Sequence, residues 1–226
     1  MPAERFYIDA DLSGTVSLEG TEFHHLAHVM RTRVGDTIEL VNGRGALATA
    51  QVHAISKHNA SLTILSATTH PVPPAQIILA LPLMRPSKLE LIIEKCTELG
   101  ADAFWLYPAA HSDKDDLSPN QLERLHHIAI SAMKQCGRLD LPPIQLFASL
   151  TDLFKSDFTY LFGDTRPNAP KISPHEKAVF ITGPEKGFSE KEHKLLEQKA
   201  TGVKLHRNIL RAETAPIVAL CLLQEA

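Results

Sequence analysis

Around residues 70–74 the chain changes its hydrophobic period, and that change restricts it to a two-part architecture. His70-Pro71-Val72-Pro73-Pro74 can be neither helix interior nor central strand, because proline fixes φ and lacks an N–H. Before it, alternating apolar residues predict strands at Arg5 to Ile8, Thr15 to Leu18, Thr37 to Val41, Ala46 to Ile55 and Ala60 to Ser66. Asn42-Gly43-Arg44-Gly45 reads as a turn between two of them, and one helix is expected over Glu22 to Arg33. Short strands and tight turns over about 70 residues point to a small β-barrel.

Beyond the prolines, apolar runs alternate with helical stripes. Strands are expected at Gln76 to Leu81, Ala103 to Tyr107, Thr159 to Phe162, Ala178 to Thr182 and Val203 to Leu205. Capping boxes are read at Ser87-Lys88-Leu89-Glu90, Ser118-Pro119-Asn120-Gln121 and Ser189-Glu190-Lys191-Glu192, each opening a helix. A last helix should run from Glu213 to Gln224. The pattern is that of an α/β domain with a covered parallel sheet, over residues 71–226 after a domain over 1–70.

Composition narrows the function classes. The 226 residues carry 23 basic and 26 acidic side chains, a net charge of −3, which is no electrostatic footprint for nucleic acid. Six of the 12 histidines fall in the first 70 residues and can add positive charge beside a polyanion. The longest apolar run, Ala215 to Leu223, is half of the roughly 18 residues a membrane-spanning helix needs. The polar opening MPAERFYID gives no expectation of a secretory leader. Cys96, Cys136 and Cys221 lack CxxC spacing, so reduced thiols in a cytoplasmic protein are expected. His24 and His28, with His25 beside them, and the pair His126 and His127 form no HExxH, and residues 111–116 lack the EF-hand glycine and glutamate. No metal is expected.

Two segments read as ligand loops. Ile181-Thr182-Gly183-Pro184-Glu185-Lys186-Gly187-Phe188-Ser189 ends a strand in a glycine turn before a capped helix, where backbone can approach a ligand closely. Leu205-His206-Arg207-Asn208-Ile209-Leu210-Arg211-Ala212-Glu213-Thr214-Ala215 repeats the arrangement with basic and amide groups. Each alone is also compatible with an ordinary strand-to-helix turn. Lys134-Gln135-Cys136-Gly137-Arg138 closes a long helix, with Gly137 as its C-cap. There Arg138 either neutralises the helix terminus or offers a donor fork.

In order and spacing the chain resembles the ribosomal RNA small-subunit methyltransferase E family of the SPOUT class. The resemblance rests on Phe23-His24-His25-Leu26, Arg31-Thr32-Arg33-Val34-Gly35-Asp36, the run Lys88 to Gly100, Gln135-Cys136-Gly137-Arg138, Gly183 to Phe188 and Ile209 to Ala215. It implies a PUA-like RNA-binding barrel followed by a SPOUT domain with a trefoil knot. It also implies a homodimer that uses S-adenosylmethionine to methylate N3 of a uridine in 16S rRNA of the assembled small subunit. Position and resemblance together make Arg211, Glu213 and Arg138 candidate catalytic residues. Thr182, Gly183, Pro184, Glu185 and Gly187, and Leu205, Ile209, Leu210 and Thr214 of the second loop, are candidate cofactor contacts. Arg31, Arg33 and Arg44 are candidate RNA contacts. A SPOUT enzyme acting on a ribose or a tRNA base, and a noncatalytic RNA-binding protein, share much of this pattern. Two positions depart from the family's usual pattern. Lys186 stands where glycine is frequent, in a loop where positive φ would strain it, and His206 replaces another glycine.

Overall fold

The computed structural model describes residues 4–112, 114–155 and 157–224; Asp113, in the loop considered above for calcium, lies outside them. The chain divides into two compact units, Met1–Pro73 with Ile130–Leu141, and Pro74–Ala129 with Pro142–Ala226.

The first unit is a five-stranded sheet of β1 (Arg5–Tyr7), β2 (Thr15–Glu19), β3 (Thr37–Val41), β4 (Ala46–Ile55) and β5 (Asn59–Thr69), in the order β1-β3-β4-β5-β2. β1 runs parallel to β3, and the other pairs are antiparallel. Alternation puts Leu18, Leu40, Val52 and Leu62 inside, packed around Phe6 and Leu26. At the turn before β4, Gly43 and Gly45 have φ of 68° and 86°. A Cβ on Gly45 would lie 2.2 Å from the His70 carbonyl oxygen, so glycine is required there. Residues 130–141 join this unit through hydrogen bonds from Gly45 N to Leu139 O, Leu141 N to Gly43 O and Lys134 Nζ to Glu22 Oε1.

The helix expected over Glu22 to Arg33 is shorter than its pattern. α1 (Gly20–His24) passes into a π-helical turn at His25–Val29. Arg31 then takes φ of 54°, a left-handed conformation that ends the helix.

The second unit holds an all-parallel six-stranded sheet. Its strands are β6 (Ile77–Pro82), β7 (Ala103–Tyr107), β8 (Ile144–Leu146), β9 (Thr159–Gly163), β10 (Ala178–Ile181) and β11 (Thr201–Val203), in the order β11-β9-β10-β6-β7-β8. β6, β7 and β10 are buried throughout, as strands covered on both faces must be. Ile78, Ala80, Trp105, Tyr107, Val179 and Ile181 share one core with Leu196 of α4 (Glu190–Lys199). The alternate residues point the other way, and α5 (Ala215–Gln224) packs against β6, β10 and α2 (Pro86–Glu98).

Three details differ from expectation. Pro86 takes the first helical position of α2, which moves the cap to Arg85 and leaves Ser87 inside the helix, so no box forms there. The boxes at Ser118 and Ser189 do form, the first opening α3 (Pro119–Cys136). β8 has only three residues, one of them buried, too few for a readable period. The last strand and last helix, expected at Val203 to Leu205 and from Glu213, are instead Thr201–Val203 and Ala215–Gln224.

Candidate functional site

β10 and β11 are the last two strands in the chain but not neighbours in the sheet, because β9 lies between them. Their C-terminal ends, with that of β9, open onto a cavity of about 740 Å³ within the second unit. That is the size of a site for a cofactor or drug-sized ligand. Three loops wall it: Gly163 to Arg166 after β9, Thr182 to Phe188 after β10, and Val203 to Ala215 after β11. Outside the carboxyl ends of parallel strands is where open α/β sheets bind ligands.

The β10 loop begins on a fixed point. Buried Tyr107 donates its phenolic proton to the Thr182 carbonyl at 2.7 Å, and burial holds that phenol well above its ordinary pKa, so it stays a donor. Thr182 is 3% exposed, and its Oγ1 has no hydrogen-bond partner. A buried hydroxyl without a partner costs about 1–3 kcal/mol. A Cβ on Gly183 would come within 3.0 Å of the Phe188 ring. Gly187, with φ of 77°, closes the turn by donating its N–H to Pro184 O at 2.8 Å. Arg31 is the one non-glycine with positive φ among the described residues, so Lys186 is not strained. His206, on the β11 loop, accepts the Asn208 N–H at Nδ1, 3.1 Å away.

Charge is organised around Lys88, in the first turn of α2. Its ammonium lies 2.7 Å from Glu185 Oε1 and 2.8 Å from Glu213 Oε2. These hydrogen bonds raise the Lys88 pKa, and the one to Glu213 holds that carboxyl below its ordinary range. Arg211 is exposed at the rim, its guanidinium 3.8 Å from Glu213 Oε1. On the β9 loop, burial alone would raise the pKa of Asp164. Arg166 nevertheless holds it lowered, gripping the carboxylate through Nε and Nη2 at 2.8 and 2.7 Å. Arg166 also donates to Glu197 at 2.7 Å. Gly202 leaves room for this grip, since a Cβ there would sit 2.7 Å from Asp164 Oδ2.

Of the predicted site residues, Arg211, Glu213, Thr182, Gly183, Pro184, Glu185, Gly187, Leu205, Ile209 and Leu210 all line this cavity. Thr214 does not; its N–H donates to Arg211 O at 3.0 Å in the turn before α5. Arg138 belongs to the other unit, where it pairs with Asp140. Arg31 and Arg33 are exposed there, and Arg44 is held by Asp9 and Asp11. Sequence reasoning missed Lys88 as a site residue, although it stands in one of the resembling segments. It also missed Asp164 and Arg166, whose only local signal was an acid following an apolar strand. Among the described residues no group of three or more His, Cys, Asp or Glu could hold a metal ion. Among the same residues no helix is long and apolar enough to cross a membrane.

Residues 71–224 match the family model of the RNA methyltransferase domain, and residues 18–65 match that of the RNA methyltransferase PUA domain. Ribosomal RNA small subunit methyltransferase E of Synechocystis is 33% identical over 225 residues, covering 92% of this chain and 72% of its own. The Bacillus subtilis protein of the same name is 32% identical, covering 91% and 88%. The crystal structure of the Neisseria gonorrhoeae protein of that name, bound to S-adenosylmethionine, is 30% identical. It superposes with a TM-score of 0.83 over 97% of this chain and 96% of that one. A match across both units, at these identities, means that the chain belongs to the ribosomal RNA small subunit methyltransferase E family.

Proposed function

We propose that this protein transfers a methyl group from S-adenosylmethionine to N3 of a uridine in 16S rRNA. In this reading it works in the cytoplasm as a homodimer on the assembled small subunit. The observation that carries the reading is the three-loop cavity at the strand ends. Its volume and its mixture of glycine backbone, apolar side chains and charge fit S-adenosylmethionine, and a relative 30% identical binds that molecule. Thr182 to Gly187 and Leu205 to Leu210 hold it, and Thr214 stabilises the turn beside it. When bound, S-adenosylmethionine supplies a methyl group already activated by its sulfonium.

The rest falls to the chain's own residues. Uracil N3 is a poor nucleophile while protonated, and its deprotonation spreads negative charge over the two flanking carbonyl oxygens. A fixed guanidinium stabilises that charge. Arg211 or Arg138 has this role; Arg211 lines the cavity and Arg138 does not, which favours Arg211. Sequence alone left Glu213 either to orient the site or to take the proton. With Lys88 holding it ionised and its pKa lowered it is a weak base, which favours orientation, with the N3 proton passing to solvent water.

Residues 1–70 form the PUA-like barrel that holds RNA, and 71–226 the SPOUT domain with its C-terminal segment threaded as a trefoil knot. Arg31 and Arg33 contact phosphates. Arg44 is the weakest of the three, because two carboxylates already meet its charge. The test is transfer of labelled methyl from S-adenosylmethionine to unmodified small subunits, followed by nucleoside analysis of the RNA. The expected product is 3-methyluridine; a ribose-methylated product, or none, overturns the assignment.

A further inference from the structure

We propose that Lys88 is a positioning residue that ties the β10 loop to the β11 loop and so sets the shape of the cofactor cavity. The inference rests on the cofactor reading given above. Among the described residues, no hydrogen bond or ion pair joins residues 183–188 directly to residues 204–214. Lys88 supplies the link from a third element, with Glu185 on one side and Glu213 on the other.

An ordinary surface ion pair contributes about 0–1 kcal/mol. Here the side chains of Lys88 and Glu213 keep only 24% and 13% of their exposure, and one ammonium serves two carboxylates. Without it, Glu185 and Glu213 would be two like charges drawn to one place with nothing between them, and their loops would part. Lysine suits the role because a compact ammonium on a flexible stem can meet two carboxylates from different directions. The helix anchors the stem. Pro86 presets the first turn of α2, and Leu89, Ile92 and Ile93 are buried.

The experiment is calorimetric titration of the full-length protein with S-adenosylmethionine, from pH 4 to pH 8, for wild type, Lys88→Met and Lys88→Arg. Lys88→Met is expected to weaken binding roughly tenfold near neutral pH, with Lys88→Arg recovering part of the loss. The acid limb provides a signature that simple loss of packing would not produce. In the wild type the Glu213 pKa is lowered, so its charge is lost only as the pH falls below the ordinary carboxylate range. In Lys88→Met the pKa rises, and because protonation of Glu213 then removes its repulsion from Glu185, binding is expected to recover towards the wild-type value as the pH falls through the ordinary carboxylate range. Equal affinity and an unmoved acid limb in Lys88→Met would overturn the proposal. Should Lys88→Met fail to fold, Lys88→Gln and Glu213→Gln, singly and combined, decide instead. Coupled losses support the tie, and additive ones refute it. A wild-type protein that binds no S-adenosylmethionine overturns the cofactor reading itself, which separates the two failures.

Discussion

Two loops border the same cavity and are held in opposite ways. Residues 183–188 form a short turn fastened at nearly every step. Gly187 donates back to Pro184 and its carbonyl lies 3.0 Å from His111 Nδ1. Phe188 packs edge-on against Phe162, and the Ser189–Glu192 capping box starts α4 immediately after. Residues 204–214 make up a longer segment with sparse support. It is pinned at one end by Lys204 N on Pro170 O at 2.7 Å, and at the other by the Arg211–Thr214 turn, with Ile209 between them 82% exposed. A segment with few buried contacts opens at low free-energy cost, and binding loops are drawn from such segments. The short loop is therefore a preformed wall, while the long one leaves Arg211 exposed at the cavity rim, where the proposed function has it meet the RNA.

The contrast can be broken or sharpened by substitution. The largest effect is expected at Arg211→Ala. If the long loop carries the reaction's charge stabiliser, methyl transfer at saturating cofactor should fall by about 100- to 1,000-fold while S-adenosylmethionine affinity holds. Retained transfer would remove Arg211 from the mechanism. An equal loss of affinity would make its loop a binding wall like the other.

Gly202→Ala should come next, because the new Cβ would collide with Asp164 and Phe162. Overpacking of this kind costs about 1–3 kcal/mol, read as a lower urea midpoint. No change would mean that the β9 loop is held more loosely than either of the others.

Ser189→Ala removes the box behind the short loop, and about 1 kcal/mol of stability should go with it. Were the midpoint unaffected, local capping would not be what holds that wall. Ile209→Ala should be the mildest. At so exposed a position the unfolding free energy should move by less than about 0.5 kcal/mol, while S-adenosylmethionine titration reports any weakening of the contact. A larger stability loss would show the long loop to be better packed than its exposure suggests.

How much of this was legible in the sequence depended on the range of the forces involved. The short loop was readable almost residue by residue, since glycine at a positive φ, a strand end and a capping box are all chemistry within a few positions. The alternation of β4 and β5 and the unbroken apolar runs of β6, β7 and β10 were readable for the same reason. The π-helical turn at His25–Val29 was not, because the early stop depends on the conformation of Arg31, which no periodicity announces.

By itself, then, the sequence determined the period change at the prolines, most strand and helix identities (β8 and the π-helical turn excepted), and the two glycine- and arginine-bearing loops. Each of these is a local consequence of backbone sterics and side-chain pattern. Tertiary structure alone decided that β9 lies between β10 and β11, which brings Asp164 and Arg166 to a site predicted without them. It also decided that Lys88 meets Glu213 across 125 positions of chain, and that residues 130–141 pack with the first unit rather than the second. Strand order and long-range ion pairs arise from the packing of surfaces far apart in the chain, and no short window of residues carries that information.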